Sequence, residues 1–265
     1  MFNFPSQEEL EKHARDAHAA RVADRANPSD ETVRMQTLTS LRHWLDACIK
    51  AGIPHVPATW SPTINEEDVF AALDGKPAET VQVANEWLAE HLTPGQMWRW
   101  DFCSPLNLKY DMSESGKPRP IEYKSLDLDD PKFCDLLTEI NRGVTWACVR
   151  PWTAAAYVGS HPVEFRVYTF KDAEPAVCNY YPQRDLPPEW KAKAKEAVTL
   201  AKKLVPFMPY PDFTADFLVK ENGDLVFLEG GPEWTSGRAH PCCFKPEDLI
   251  PGAIALKNEN PELSE

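Results

Sequence analysis

Long apolar runs are missing from this chain of 265 residues. No stretch approaches the roughly 18 consecutive apolar residues that a membrane-spanning helix needs. The opening Met1-Phe2-Asn3-Phe4-Pro5-Ser6 has neither the basic nor the apolar segment of a secretion signal. The expectation is a soluble, cytoplasmic protein with no membrane partner. Basic charge is scarce as well: 28 Lys and Arg stand against 41 Asp and Glu, a formal charge of -13. That balance opposes close approach to a polyanion and makes naked nucleic acid a poor partner. Glycine (11) and cysteine (7) are few, so collagen-like, low-complexity and disulfide-stapled classes do not fit. The cysteines form no Cys-x-x-Cys pair, and the adjacent Cys242 and Cys243 would make only a strained bridge, so reduced structural thiols are expected. A Gly-x-Ser-x-Gly elbow, a His-Glu-x-x-His pair and a Gly-x-x-x-x-Gly-Lys loop are also missing, which argues against serine hydrolases, zinc proteases and P-loop enzymes.

What is present is 43% hydrophobic and 26% charged residues, enough for one good-sized domain or a domain with a small companion. The first ninety or so residues read as helical. Ser6 and Glu9 have capping-box spacing. Met35, Leu38, Leu41, Leu45 and Cys48 recur at helical spacing within a helix expected over 30–50, with Gly52 as its stop. Two shorter helices are expected over 65–73 and 79–91. From about Met97 the texture changes to β-like runs over 120–124, 146–150, 163–170, 176–181, 213–220 and 224–229, with helical pattern returning at 132–142 and 187–204. The fold class is α+β, a helical region over 1–95 preceding a region over 96–265 that holds the chemistry. The last two strands are joined through Asn222-Gly223, which supplies the positive φ of a tight hairpin.

That hairpin brings Asp216 and Glu229 nearly opposite one another. Two carboxylates facing one spot suit Mg²⁺, which takes few protein ligands and completes its shell with water and phosphate oxygens; the alternative is a solvated acidic pair. Gly230-Gly231-Pro232 would let backbone approach a ligand with no Cβ in the way. Upstream, Arg150 ends one strand, and Glu164 and Arg166 share a face of the next by period two. Guanidiniums beside a carboxylate pair suit a metal-bridged phosphate chain; the alternative is a structural ion pair from Arg166 to Glu164 or Glu229. Lys124, after Ile121 and Tyr123, would offer a phosphate a point charge from a strand end.

These blocks together resemble the ATP-grasp superfamily. Within it they resemble the branch of cell-division-cycle assembly chaperones for a translation initiation factor, and the related bacterial and phage clade marked by two arginines and one lysine. Tyr123-Lys124-Ser125-Leu126-Asp127 is similar to that branch's Lys-Ser-Ser-Asp, Val149-Arg150-Pro151-Trp152 to its Leu-Arg-Lys-Trp, and Glu164-Phe165-Arg166-Val167 to its Glu-Phe-Arg. Gln183-Arg184-Asp185 matches a Gln-Arg-Asp block, and the Asp216 strand with Phe227-Leu228-Glu229-Gly230-Gly231-Pro232 resembles the metal-binding Asp followed by Asp/Glu-x-Asn-Pro. Arg99 and Cys103-Ser104-Pro105 resemble its Lys and Ser-Ser-Pro segment. The likeness runs over about 97–235. It departs at Gly231, where the family has Asn, so a metal ligand is missing or comes from Glu233.

The resemblance implies a two-lobed, ATP-grasp-like fold with antiparallel sheets, binding ATP and Mg²⁺. Asp216 and Glu229 would hold the metal. Arg99, Lys124, Arg150, Trp152, Glu164 and Arg166 would form the nucleotide site, with Arg150 and Arg166 catalytic and Trp152 near the adenine. Arg238, in the segment after the metal strand, is a candidate for a substrate carboxylate. The implied reaction joins a carboxylic acid to an amine, on an amino acid, peptide or similar small molecule, through an acyl phosphate. The alternative is an ATP-binding assembly chaperone or protein-binding module with little or no turnover, its partner meeting the helical N-terminal region. A third reading is a modifier of macromolecules that docks them on that region.

Overall fold

The computed structural model describes residues 20, 23–103, 110–130, 133–134, 136–137, 142–180 and 190–232. Its helices and strands in chain order are α1 (Asp30–Leu38), α2 (Leu41–Ala51), β1 (Thr59–Trp60), β2 (Ile64–Asn65), α3 (Glu66–Leu73), α4 (Glu79–His91), β3 (Gln96–Trp100), β4 (Tyr110–Met112), β5 (Pro118–Pro120), β6 (Val144–Thr145), β7 (Ala147–Pro151), β8 (Tyr157–Val158), β9 (His161–Pro162), β10 (Glu164–Phe170), β11 (Ala173–Asn179), α5 (Lys191–Leu204), β12 (Phe213–Val219) and β13 (Leu225–Gly231). The mixture of helices with antiparallel strands is the expected α+β class. Ser6, Glu9, the Gln183-Arg184-Asp185 block, Glu233, Arg238, Cys242 and Cys243 lie outside the described residues.

The single helix expected over 30–50 is two helices. Ser29 caps α1, its hydroxyl accepting from Thr32 N at 3.1 Å, and the chain then breaks at Ser40, which is extended. Ser40 provides no side-chain cap to α2. Asp101 does this from 59 residues away, its Oδ1 accepting from Arg42 N at 2.9 Å while Oδ2 accepts from Ser40 Oγ at 2.9 Å. A carboxylate at a helix N-terminus satisfies an orphan amide and faces the positive end of the dipole. Gly52, at φ 65°, ends α2 as expected.

Two sheets carry the architecture. The larger is antiparallel in the order β11-β10-β12-β13, and the smaller has the order β1-β7-β3. Alternation divides each into an apolar and a polar face. In the larger sheet Phe165, Val167, Val177, Phe213, Ala215, Phe217, Val219, Leu225 and Phe227 enter one core with α1, α2 and α5. In the smaller, Trp98, Trp100, Ala147 and Val149 enter a second core with Val69 of α3 and Val81, Ala84 and Leu88 of α4. The helices before residue 95 therefore divide between two cores. The charged faces of the two sheets are left for each other.

The β12–β13 hairpin turns through Glu221, Asn222 and Gly223. Gly223 is at φ 84° and donates to Lys220 O at 2.8 Å, while Lys220 N donates to Asp224 O at 2.8 Å. Asn222 contributes its side chain too, Oδ1 accepting from Asp224 N at 3.1 Å. Pairing runs Val219↔Leu225, Leu218↔Val226 and Phe217↔Phe227, then shifts and resumes at Asp216↔Glu229. Leu228 is thus an extra residue in β13, a bulge. Without it Glu229 would fall opposite Ala215, on the apolar face.

Candidate active site

The bulge puts Glu229 directly across from Asp216, and Asp216 is also the register partner of Arg166 on β10. Period two keeps Glu164 and Arg166 on that same face. From the smaller sheet, Arg99 of β3 and Arg150 of β7 lie on the side away from Trp98, Trp100 and Val149. The five side chains Arg99, Arg150, Arg166, Asp216 and Glu229 are 1–6% exposed, so their charges have left water and are compensated within the protein.

The pairing is specific. Arg166 donates Nε to Asp216 Oδ1 at 2.8 Å and Nη2 to Oδ2 at 2.7 Å. Arg99 Nη1 donates to Glu229 Oε2 at 3.1 Å, its Nε donates to Trp100 O at 3.2 Å, and its Nη2 donates to Phe102 O. The alternative ion pairs for Arg166, to Glu164 or Glu229, give way to Asp216, because the register sets Asp216 opposite it. Burial works to lower the pKa of both arginines, but Asp216 beside Arg166 and Glu229 beside Arg99 outweigh it, and both are raised. Arg150 differs. It donates to backbone, Nη2 to Val56 O at 2.7 Å and Nη1 to Leu228 O at 3.2 Å, and its buried Nε has no partner among the described residues. Burial first and the neighbouring Arg99 second pull it down to about 10.

Sequence reasoning overlooks several participants. The Tyr180 ring lies under the Arg166 guanidinium, 4.6 Å from its centroid, and burial, then Glu164 and Asp216, push its phenol up. Cys103 and Cys148 are pushed up to about 12, chiefly by burial, and stay protonated thiols beside the arginines. Arg142 Nη1 donates to Asp101 Oδ2 at 2.5 Å and so completes the cap on α2. Tyr180 carries a local signal, an aromatic at the end of a strand beside an arginine strand. Asp101 carries none, since its partners are distant in sequence.

Two expectations are corrected. Lys124 does not end a strand: β5 stops at Pro120, and Pro118 and Pro120 lack the N–H groups a longer ladder needs. Asn85 Oδ1 accepts from Tyr123 Oη at 2.8 Å and from Leu126 N at 2.8 Å, pinning this segment to α4. Lys124 itself is exposed, with no hydrogen bond or ion pair to another described residue. Gly230 makes room for protein rather than for a ligand. A Cβ there would sit 2.4 Å from the Trp44 ring, and Trp44 is held by its Nε1 donating to Leu38 O at 2.8 Å. Trp152 is half-buried after β7, its N donating to Gly95 O at 2.8 Å and its ring edge-on to Tyr110, centroids 6.5 Å apart.

Asp216 and Glu229 are an oxygen-only pair facing one place, a donor set that fits a hard divalent cation. Among the described residues no group of three or more His, Cys, Asp and Glu stands ready for a metal. The fit is therefore to an ion that brings most of its own ligands, as Mg²⁺ does. Guanidiniums hold both carboxylates in the arrangement seen here.

No protein-family model and no curated protein matches the chain. The structure is similar to Cdc123 from Schizosaccharomyces pombe, 12% identical over 75% of this chain and 84% of that one, with a TM-score of 0.46. It is similar to the D-alanine-D-alanine ligase from Coxiella burnetii, 13% identical over 76% of this chain and 49% of the ligase, with a TM-score of 0.38. It is also similar to a RimK domain ATP-grasp protein from Sphaerobacter thermophilus, 13% identical over 76% of this chain and 60% of that one, with a TM-score of 0.37. No helix among the described residues is long and apolar enough to cross a membrane. The sequence blocks of this chain resemble the ATP-grasp superfamily, and an ATP-grasp protein is among those its structure resembles.

Proposed function

We propose that this chain is an ATP- and Mg²⁺-dependent ligase that joins a carboxylic acid to an amine. The observation that carries the reading is the placement of Asp216 and Glu229 face to face, each gripped by an arginine, on a buried charged face between two sheets. Burying such a cluster costs more than an apolar core of the same shape, so its presence asks for a function. The carboxylates suit a magnesium ion, which when bound would neutralise phosphate oxygens. Arg166 and Arg99 are the forks that would take phosphate oxygens alongside it. In such a reaction the acid's carboxylate oxygen attacks the terminal phosphorus as ADP leaves. The amine nitrogen then attacks the acyl carbon and phosphate departs. Phosphoryl transfer asks the protein for position and charge rather than for a nucleophile, and the buried thiols here are not ionised to serve as one.

Gly231 favours a second reading. Two positions beyond Glu229 it offers no side chain, so a third ligand from that strand is missing, and the site would suit an ATP-holding protein-binding module with little turnover. Thermal unfolding with Mg²⁺ and ATP tests both: ligand at about 100 times its dissociation constant stabilises by roughly 2.7 kcal/mol. A Mg²⁺-dependent shift supports the nucleotide site, and its absence rejects both readings. ADP release on adding acid and amine pairs then supports the ligase; binding without turnover supports the module.

A further inference from the structure

We infer that Arg150 is a positioning residue: it locks the Leu228 bulge and thereby holds Glu229 opposite Asp216. A bulge leaves a backbone carbonyl outside the ladder, and a buried one needs a donor. Arg150 Nη1 donates to Leu228 O at 3.2 Å. Its other terminal nitrogen donates to Val56 O at 2.7 Å. Val56 belongs to a segment that lies along β13: His55 bridges Phe227 in parallel, Phe227 N donates to Pro54 O at 2.8 Å, and Val56 N donates to Phe227 O at 3.2 Å. One planar side chain therefore joins three strands, β7, β13 and the 54–56 segment, at the residue where the register of β13 slips. At 1% exposure and without a hydrogen-bonded carboxylate among the described residues, Arg150 commits both of its terminal nitrogens to backbone carbonyls at this point. The phase it fixes decides which face Glu229 occupies.

The inference concerns the ligand-free fold; only its second test rests on the nucleotide reading. In Arg150→Met, backbone hydrogen exchange over 225–231 should speed up while exchange over 164–179 stays as in the wild type. Unchanged exchange in 225–231 would overturn the assignment. Arg150→Lys, which keeps one donor group, should fall between the two, and serves if the methionine variant does not fold. The second test is a cycle with Glu229→Gln read as Mg·ATP affinity. Arg150→Met should weaken binding by on the order of tenfold in the wild type and by less than about twofold in the Glu229→Gln background, the limit of additivity between independent sites. Equal losses in both backgrounds would mean that Arg150 touches the nucleotide itself, and would overturn the positioning role. Wild-type protein without Mg·ATP affinity would reject the nucleotide reading and leave the exchange result to decide on Arg150.

Discussion

Arg166 holds both oxygens of Asp216, Nε to Oδ1 at 2.8 Å and Nη2 to Oδ2 at 2.7 Å. A cation bound to Asp216 must share that carboxylate with the guanidinium or displace it, and two positive groups on one buried carboxylate repel. Arg166→Gln should therefore raise the affinity for Mn²⁺ or Mg²⁺ alone while lowering it for the metal–nucleotide pair, since the phosphates lose their fork. Calorimetric titration of metal without nucleotide checks the first half. Metal affinity unchanged or weakened in the variant would show that Arg166 and the cation do not compete for Asp216.

The same pair governs stability. Removing one partner of a buried ion pair leaves the other charge stranded, at a cost of about 3–5 kcal/mol. Asp216→Asn should destabilise on this scale, and the double variant Arg166→Gln, Asp216→Asn should recover a large part of it, because no charge is then stranded. Urea unfolding of the three proteins measures this. A loss below about 1 kcal/mol in Asp216→Asn, the range of exposed pairs, would contradict the buried geometry.

Much of this site is legible in the sequence, for local reasons. Glu164 and Arg166 share a face because strand periodicity is two, and the hairpin at 222–223 brings 216 near 229 by chain connectivity alone. Phase is what the sequence hides. A perfect ladder continuing from Phe217↔Phe227 would send Glu229 to the apolar face, and nothing in Phe227-Leu228-Glu229 announces the bulge at Leu228, which rests on Arg150, 78 residues away. Gly230 misleads for a related reason. A glycine beside acidic residues suggests ligand approach, yet here the open space is filled by Trp44, a residue from the helical region that the sequence sets apart. The α1–α2 break at Ser40 likewise depends on Asp101.

Glu66 gives the fold a pH dependence of definite sign. Burial lifts its pKa above the ordinary glutamate value, and Arg25, whose Nη2 donates to Oε2 at 2.6 Å, only partly counters this. The folded chain then binds this proton more tightly than the unfolded one. The stability from that proton is complete below the unfolded value of about 4.3 and is lost as pH rises through the folded value. Glu66→Gln should accordingly be more stable than the wild type at neutral pH, with the advantage shrinking as pH falls toward about 4. Melting temperatures across that range decide it. A variant less stable than the wild type at neutral pH would show that the Arg25 pair outweighs the cost of burial.

Trp44 ties the helical region to the strand that carries Glu229. Its ring stacks on Phe227, centroids 5.6 Å apart, and meets Phe213 edge-on at 5.1 Å, while Gly230 leaves the space its six-membered ring occupies. A methyl at 230 would lie 2.4–2.6 Å from three ring carbons, well inside contact distance, and neither party can yield easily: the indole is pinned through Nε1 to Leu38 O, and β13 is paired on both flanks of the position. Overpacking a filled core costs about 1–3 kcal/mol, so Gly230→Ala should lower the melting temperature by several degrees. The clash is with one side chain, which makes it separable. Trp44→Leu should itself destabilise by leaving a cavity, yet adding Gly230→Ala to it should cost little or nothing further. Denaturant unfolding of the single and double variants measures the coupling. If alanine at 230 is equally harmful with and without the indole, the tolerance at that position is set by backbone approach instead. The contact between α2 and β13 would then not be what Gly230 is for.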